Sequence, residues 1–277
     1  MSLAFRFCCL AIYAISLTLR VDCLTVGAFN IQHYSDSKQN EWGGYIVKVL
    51  KHFDVVLVQE VRDVDHSALD DLKTLLGSRS WDYVSSGPIG RTSAYKEQYV
   101  YFYRKSSVRV LGSFQYDDSV SDVFEREPYA IEIQYASSVQ GRAVNVVLLG
   151  IHTQPEMALE ELQALPAAMT AAKTYFSNSS GVVALGDYNA DCSYLNSQER
   201  ATLPLFNEAR YQSLISDSID TTTSTSTDCA YDRIVVDGNI DVIVGSAKVF
   251  RFDSALGLDN NSTRAISDHY PIECILT

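Results

Sequence analysis

Hydrophobic and polar residues recur along this chain with two periods, one typical of buried strands and one typical of amphipathic helices. Apolar residues over 24–29 predict a short strand, and the near-continuous β-branched run over 54–61 predicts a strand buried on both faces. Residues 40–52 carry apolar side chains at helical spacing, and residues 68–76 repeat that pattern. The first part of the chain is therefore predicted to alternate between strands and helices.

The remainder of the chain mixes strands with a third helix. Further strands are predicted near 82–86, 99–104, 108–114, 129–135, 144–151, 182–185, 233–236, 240–244 and 270–276. The helix is predicted to begin near Pro155 and to be interrupted or bent at Pro166, because proline lacks an amide hydrogen. The tract 221–227, rich in threonine and serine, is predicted to be a polar loop. With no internal repeat or charge block, the pattern favours one α/β domain over residues 24–277, with stacked sheets and helices outside.

The first 23 residues have the pattern of a signal peptide. Arg6 precedes an apolar run over residues 8–19, which is too short to span a bilayer, and a cleavage site before Leu24 fits the pattern. The alternative is a buried N-terminal helix. Since we recognise no other stretch that could span a membrane, we expect a secreted protein without a membrane partner.

The cysteines that follow agree with secretion. Cys192 and Cys229 both lie in polar loop sequence, and in an oxidising compartment they are the expected disulfide pair. Cys274 alternates with apolar residues in the last predicted strand, which indicates a buried thiol. Glycosylation patterns occur at Asn178, Asn260 and Asn261, and the last two overlap.

Composition and charge limit the partners. Hydrophobic residues make up 47% and charged residues 20% of the chain, which is an ordinary globular balance. The formal net charge of −12 excludes a general electrostatic attraction to nucleic acid or to an anionic membrane. A polyanion would have to be bound through local arginines or divalent cations.

Polar side chains collect where the predicted strands meet solvent, which is where sites form in open α/β sheets. They are Asn30, Glu60, His152, Asp187, Asn189, Asp268 and His269. Carboxylate and amide oxygens suit Mg²⁺, Mn²⁺ or Ca²⁺, and histidine supplies acid and base near neutral pH. The serine-elbow, zinc-protease and P-loop motifs are missing from the sequence, so the inventory favours metal-assisted phosphodiester hydrolysis. The other histidines, His33, His52 and His66, are predicted to be structural or solvated.

Eight segments, VGAFNIQ, VLVQEVRD, YKEQYVYFYR, EREPY, GIHTQP, GDYNADCSY, CAYDRIVV and ISDHYPIE, carry a family resemblance. In order and spacing they resemble the deoxyribonuclease I family, secreted members of the endonuclease/exonuclease/phosphatase superfamily, over nearly all of residues 24–277. The resemblance implies a four-layer sandwich in which two mixed β-sheets pack face to face between helices. It also implies an endonuclease that uses Mg²⁺ or Mn²⁺ on double-stranded DNA, with little sequence preference, and leaves 5′-phosphate and 3′-hydroxyl ends.

The resemblance implies roles for individual residues. The catalytic set would be two pairs that share acid and base duty, His152 with Glu97 and His269 with Asp232. Glu60 would be the principal ligand of the catalytic metal, in a site also lined by Asn30, Asp187, Asn189 and Asp268. The contacts to DNA would be made by Arg62, Tyr95 and Arg126. The alternatives are a core position for Tyr95 and, for Arg126, a surface salt bridge with Glu125 or Glu127.

Two loops resemble the family's structural Ca²⁺ sites, although solvated acidic loops remain the alternative. The candidate ligands are Asp118, Asp122 and Glu127 in one loop and Asp220 and Thr227 in the other. The chain departs from the family at Gln32, where relatives place an arginine that contacts DNA, and its loop 118–125 lacks a small disulfide. Ser85 and Tyr129 replace family residues that bind actin, so we expect weak or absent actin binding, and we expect a monomer.

Two other functions remain open at this stage. One is a superfamily phosphodiesterase that acts on another substrate such as sphingomyelin. The other is an inactive homologue that binds DNA without cleaving it. The complete set of acid and base residues argues against the second.

Overall fold

The computed structural model describes residues 23–92, 95–238 and 244–277. Two β-sheets pack face to face, and helices cover the outer surface of each sheet. The predicted α/β four-layer sandwich of two mixed sheets is therefore confirmed. The predicted signal peptide falls almost wholly on residues 1–22, which lie outside the described residues, so it stays a prediction.

The described strands and helices alternate for much of the chain. In chain order the strands are β1 (Leu24–Tyr34), β2 (Val55–Val61), β3 (Trp81–Ser85), β4 (Ile89–Thr92), β5 (Tyr95–Arg104), β6 (Arg109–Gln115), β7 (Tyr129–Ser137), β8 (Arg142–His152), β9 (Val182–Asp187), β10 (Tyr211–Ser213), β11 (Asp232–Asp237), β12 (Val244–Val249) and β13 (Ile272–Leu276). The α-helices are α1 (Asp36–Leu50), α2 (Ser67–Leu76), α3 (Ala158–Tyr175), α4 (Ser197–Arg200), α5 (Pro204–Asn207), α6 (Phe252–Leu256) and α7 (Asn260–Ile266), and a 3₁₀ turn at Pro155–Met157 precedes α3.

The strand order brings distant parts of the chain side by side. The first sheet runs β12-β13-β1-β2-β5-β3, with β4 also paired to β5, and the second runs β10-β11-β9-β8-β7-β6. The β1–β2 and β8–β9 pairs are parallel and the other described pairs are antiparallel, so both sheets are mixed.

Three apolar cores hold the layers together. The central core lies between the sheets, and in β13 it takes the alternating side chains Ile272, Cys274 and Leu276. The predicted burial of the Cys274 thiol is thus confirmed. A second core joins the first sheet to α1, α2, α6 and α7, and a third joins the second sheet to α3 and α5.

Strand β1 continues beyond its predicted end, and this extension shapes the site. The pairing of β1 with β2 shifts register between Asn30 and Tyr34. Gln32 and His33 have φ angles of 53° and 58°, and Glu60 in β2 has a φ of 59°. The neighbouring strands β1 and β2 are therefore both irregular at the same position along their length. Irregularities of this kind change the direction of side chains and are frequent next to active sites.

Several local predictions need correction. Helix α3 is continuous through Pro166, so the predicted interruption is wrong, and buried Leu162, Leu165 and Met169 pack the helix against the second sheet despite the missing hydrogen bond. The alternative, a bend at Pro166, stays a prediction. The strand predicted near 240–244 lies mostly on residues 239–243, outside the described part, and β12 begins at Val244. Strands β4 and β10 and helices α4 to α7 were too short to show a hydrophobic period.

The predicted disulfide is present, between Cys192 and Cys229, with a sequence separation of 37 residues. It joins the segment after β9 to the end of the loop that contains the threonine tract, residues 221–227. Within the described residues, no helix combines the length and the apolar character that crossing a membrane requires.

Candidate active site

Strand register places three polar side chains in one row across the second sheet. Asp187, the last residue of β9, pairs with His152 at the end of parallel strand β8. On its other side Asp187 pairs with Asp232, the first residue of antiparallel strand β11. Because residues in register on neighbouring strands project from the same face, the three side chains are brought together by the sheet itself.

The first histidine–carboxylate pair joins the two sheets. His152 Nδ1 lies 2.9 Å from Oε2 of Glu97, which belongs to β5 of the first sheet. Burial raises the pKa of Glu97, but its attraction to His152, their hydrogen bond and nearby Arg126 outweigh burial and lower it to about 2. Glu97 is therefore a permanent carboxylate, which fixes the orientation of the imidazole.

The second pair lies on the other side of Asp187. His269 Nδ1 lies 2.7 Å from Asp232 Oδ2, and both residues are buried. Burial lowers the pKa of His269, but the attraction of Asp232 and Asp187 and the hydrogen bond from Asp232 raise it well above its usual value. These surroundings favour the imidazolium form of His269 over the neutral form.

Asp187 is the point on which both pairs converge. Its Oδ2 atom lies 3.7 Å from His152 Nε2 and 3.6 Å from His269 Nε2. Burial raises the pKa of Asp187, but the two histidines and hydrogen bonds from Asn189 and Asn30 outweigh it, so the pKa is lowered. Two imidazole nitrogens therefore face one small region beside an ionised carboxylate.

Asn30 connects this convergence point to Glu60. Its Nδ2 donates to Glu60 Oε1 at 2.9 Å and to Asp187 Oδ2 at 3.2 Å. Its Oδ1 accepts from the backbone N–H of Gln32 at 2.9 Å. The amide nitrogen, and not the oxygen, thus faces the carboxylates, so this orientation makes Asn30 a donor that fixes two acidic side chains.

Asp268 and Asn189 are the remaining polar residues of the predicted metal site. Asp268 Oδ2 accepts from Gln32 Nε2 at 2.9 Å, while its Oδ1 is buried and has no hydrogen-bond partner within the described residues. Asn189 donates its backbone N–H to Asp187 Oδ1 and its Nδ2 to Thr153 O, both at 3.0 Å. Asp268 Oδ1 lies 4.0 Å from His269 Nε2, and a buried carboxylate oxygen without a hydrogen bond is a donor that fits a hard divalent cation.

A third histidine reaches the site, although its sequence context suggested a structural or solvated role. His33 Nδ1 lies 2.8 Å from Glu60 Oε2, and the His33 backbone N–H donates to the same oxygen at 3.1 Å. The signal in the sequence is only that His33 follows Asn30 by three residues. His52 and His66 do lie elsewhere: His52 stacks on Phe250, and His66 contacts Gln98.

Among the residues that the structure describes, two clusters of carboxylate or imidazole groups have a spacing compatible with a metal ion. Asp187, Asp232 and His269 form one, but His269 and Asp232 are already hydrogen-bonded to each other, which accounts for their proximity. The other comprises Asp36, the first residue of α1, with Asp63 and Asp65 before α2, and the hydroxyl of Ser67 donates to Asp36 and Asp65. The second cluster is separate from the residues of the candidate site.

The predicted DNA contacts lie near the first pair. The Arg62 guanidinium sits 4.1 Å from the ring centre of Tyr95, and Tyr95 is 40% exposed, so it is not a core aromatic. Arg126 is buried and donates to the backbone oxygens of His152 and Thr153 at 3.0 and 2.8 Å. Its ion pair is with Glu97, 3.6 Å away, and not the surface pair with Glu125 or Glu127 that was the alternative.

The candidate calcium residues of one loop share a cleft and those of the other are joined by hydroxyl contacts, and whether they bind calcium stays a prediction. Asp118, Asp122 and Glu127 line one cleft of about 580 Å³. Asp118 Oδ2 also accepts from Phe124 N, and Asp122 is paired with Arg91. In the other loop, Asp220 Oδ1 accepts from the Thr222 hydroxyl, which lies 3.4 Å from the hydroxyl of Thr227.

The three candidate glycosylation residues lie at the surface. Asn178, Asn260 and Asn261 are all exposed, but Asn260 Nδ2 donates to Thr223 O, so Asn261 is the less constrained of the overlapping acceptors.

Tyr129, one of the two residues on which the prediction of weak actin binding rests, is buried, and its hydroxyl donates to Ser85 O. Because the Tyr129 ring packs between the sheets, it gives no support to the prediction of weak actin binding, which stays a prediction.

Comparisons with known proteins agree with this geometry. The Endonuclease/Exonuclease/phosphatase family model matches residues 27–269. Deoxyribonuclease-1 of Gallus gallus is 40% identical over 280 residues, which cover 96% of this chain and 97% of that protein. Deoxyribonuclease-1 of Bos taurus is 39% identical and covers 92% of each chain.

Solved structures with the same fold are more distant in sequence. Humanized D. rerio TDP2 has a TM-score of 0.63 at 17% identity and covers 92% of this chain and 99% of its own. The human Nocturnin catalytic domain, with bound sulfate anion, has a TM-score of 0.62 at 16% identity and covers 94% of each chain. At such identities these structures show the fold alone.

Proposed function

The chain belongs to the deoxyribonuclease I group of the endonuclease/exonuclease/phosphatase family, and from this premise we propose that it is a secreted, divalent-metal-dependent endonuclease acting on double-stranded DNA. The observation that carries the proposal is the convergence of His152 and His269 on Asp187, within 3.7 and 3.6 Å. A phosphodiester bound there would have one imidazole beside the attacking water and the other beside the leaving oxygen.

The charged groups around the two histidines support different roles for them, one as general acid and the other as general base. His269, whose imidazolium form is favoured by Asp232 and Asp187, is the general acid that gives its proton to the departing 3′ oxygen. His152, oriented by Glu97, is the general base that takes a proton from the water whose oxygen attacks phosphorus. The bond from phosphorus to the 3′ oxygen breaks, which leaves 5′-phosphate and 3′-hydroxyl ends.

The residues that would hold Mg²⁺ or Mn²⁺ are Glu60, Asp187, Asp268 and Asn189. Their donors are carboxylate and amide oxygens, and the unpartnered Asp268 Oδ1 supports the fit. When bound, the cation supplies neutralisation of the charge that develops on the phosphate. Asn30 supports this site by fixing Glu60 and Asp187 through its amide hydrogens.

DNA is bound mainly through its backbone and minor groove. Arg62 and Tyr95 form a stacked, partly exposed pair that can enter a groove, and Tyr95 lines one cleft together with Arg126. Gln32, where relatives place an arginine, is engaged with Asp268. Contacts of this kind follow groove width, so cleavage should show little sequence preference.

The remaining features concern the environment of the enzyme. The signal-peptide pattern over residues 1–23 and the Cys192–Cys229 disulfide support secretion. The two oxygen-rich loops would bind structural Ca²⁺, as separate sites from the catalytic centre. We further expect a monomer, no membrane partner and weak actin binding, now supported only by Ser85.

The decisive experiment is supercoiled-plasmid nicking by the secreted protein, with Mg²⁺ plus Ca²⁺ and with EDTA. His152→Ala and His269→Ala should each lose most activity while remaining folded, whereas the control His66→Ala should retain it. Retained nicking by both variants would refute the assigned roles. Cleavage of sphingomyelin but not DNA would favour another phosphodiesterase, and DNA binding without cleavage would favour an inactive homologue.

A further inference from the structure

His33 occupies a position against Glu60 that the catalytic scheme does not use. Its Nδ1 atom is 2.8 Å from Glu60 Oε2. The His33 side chain is 53% exposed and the Glu60 side chain 12% exposed, so the imidazole remains largely accessible to solvent while it contacts the carboxylate. A cation bound to Glu60 Oε2 would lie beside this ring.

The backbone is shaped to place His33 there. Gln32, His33 and Glu60 all have positive φ angles, a conformation that costs non-glycine residues free energy. Lys38 fixes the distorted segment by donating to the backbone oxygens of Ile31 and Gln32, and also to Ile266 O at the end of α7. Strain maintained in this way, on two paired strands at one level, is typical of functional sites.

The distance between the two donors suits a shared cation. In an octahedral shell with bonds of 2.0–2.1 Å, neighbouring ligand atoms are about 3 Å apart. The 2.8 Å separation of His33 Nδ1 and Glu60 Oε2 therefore matches two neighbouring positions on one ion. In the metal-free protein the Nδ1–H donates to the carboxylate; with a cation present, the other tautomer offers the Nδ1 lone pair instead.

We propose that His33 is a direct ligand of the catalytic cation, together with Glu60, so that the site has mixed nitrogen and oxygen donors. This inference deepens the proposed function and rests on it. An imidazole ligand favours first-row transition ions, whereas Mg²⁺ prefers oxygen. The site should therefore bind Mn²⁺ in preference to Mg²⁺, and His33 should account for that preference.

The test measures metal binding without DNA. Pulsed electron paramagnetic resonance of the Mn²⁺-loaded full-length mature protein should show ¹⁴N coupling from a bound imidazole. His33→Gln should lose this coupling and bind Mn²⁺ at least about tenfold more weakly, with a smaller change for Mg²⁺. The matched control, His66→Gln, replaces a histidine outside the site and should change neither quantity.

Two results would overturn the inference. Wild-type protein that binds Mn²⁺ without ¹⁴N coupling would do so, as would coupling that persists unchanged in His33→Gln. If His33→Gln weakens binding but keeps the coupling, His33 only orients Glu60 and is not a ligand. His33→Asn, which restores a short oxygen donor, should recover Mg²⁺ affinity more than Mn²⁺ affinity, and circular dichroism of each variant excludes loss of fold.

The plasmid assay separates this inference from the proposed function. Nitrogen coupling that depends on His33, in a protein that does not cut DNA, would support His33 as a metal ligand and refute the proposed nuclease function. DNA cleavage with unchanged metal binding in His33→Gln would sustain the nuclease and refute the ligand.

Discussion

Buried carboxyl groups in and around the site differ in their pKa because their surroundings differ. Glu97 and Asp187 are kept ionised by neighbouring histidines, although burial opposes this. Glu161, on α3, is compensated less: burial raises its pKa to about 7, because hydrogen bonds from the backbone of Glu125 and Gln154 and the attraction of Arg126 and His152 offset burial only in part. Residues of the same type therefore respond differently to pH within one molecule.

Replacing Asp232 should impair the acid without removing it. In Asp232→Asn the attraction that raises the pKa of His269 is reduced, so the protonated form should be lost at lower pH than in wild type. We expect kcat to fall by at least about 100-fold, as for other residues that orient a catalytic histidine. Nuclear magnetic resonance titration of His269 and the pH profile of kcat measure the two effects.

Asp237→Asn serves as the matched control for this variant, because Asp237 lies at the other end of β11 and pairs with Arg210. It should leave the His269 titration unchanged. An unaltered His269 titration in Asp232→Asn would contradict the assigned partnership.

Glu161 should make stability depend on pH. Its pKa is raised in the folded protein, so its contribution is fully present below the unfolded value near 4.5 and is lost as pH rises through about 7. Glu161→Gln removes this dependence but keeps an oxygen for Glu125 N and Gln154 N. The free energy of unfolding of the variant relative to wild type should therefore rise by on the order of 3 kcal/mol between pH 4 and pH 8.

Urea unfolding at a series of pH values measures this difference. Glu160→Gln, an exposed neighbour on the same helix, should keep the pH slope of wild type. Parallel pH profiles for wild type and Glu161→Gln would show that Glu161 does not titrate in this range.

At the scale of secondary-structure elements, the site depends on how closely strands approach each other. Gly186 precedes Asp187 in β9 and has a φ of 139°. A Cβ atom there would lie 2.2 Å from the backbone oxygen of Ile151 in β8 and 2.8 Å from Gln59 Nε2. A side chain at this position would push apart the strands that align His152 with Asp187.

Gly186→Ala should therefore destabilise the fold by roughly 3 kcal/mol or more, through steric overlap and an unfavourable backbone conformation. Gly44→Ala is the control, because no neighbouring atom lies within 4 Å of its added Cβ and the residue is inside α1. Alanine there should be neutral or stabilising by up to about 1 kcal/mol. Denaturant unfolding measures both variants, and equal stabilities would refute this account of β9.

The sequence predicts the elements better than their irregularities. The ends of β8 and β9 follow from apolar runs that stop at polar residues, and those runs led directly to His152 and Asp187. Nothing in residues 30–34 predicts positive φ at Gln32 and His33, since this conformation depends on contacts with β2, α1 and α7. For the same reason, the contact between His33 and Glu60 could not be read from spacing.

At the scale of the whole molecule, the net charge opposes the DNA binding that we propose from the fold family. The net charge of −12 opposes approach to DNA, so binding must rely on a few cationic groups near the cleft. The four-layer sandwich itself could be predicted, because the family motifs and alternating elements cover nearly all of the chain. Which atoms face each other across the two sheets could not, since that depends on tertiary packing.

Salt should consequently weaken DNA binding only moderately. With two or three phosphates neutralised, the logarithm of the binding constant should fall with that of the salt concentration at a slope of about −2 to −3. Arg62→Gln should reduce the slope by about 1, because one phosphate contact is lost. Arg109→Gln, exposed on edge strand β6, is the control that should not alter it.

Fluorescence anisotropy of a labelled duplex with catalytically inactive His152→Ala as background measures these slopes. A slope near −8 in the parent protein would contradict the small contact set, since it would require many more neutralised phosphates.

The pairing of His152 with Glu97 has a consequence for the time at which activity appears. Each partner belongs to a different sheet, and Asn30 and Asp187 likewise join one sheet to the other. Neither sheet alone holds a complete acid–base system, so a chain with only one sheet formed has no catalytic centre. Competence to cut DNA therefore arises only when the two halves dock, which keeps a newly made nuclease harmless until its folding is finished.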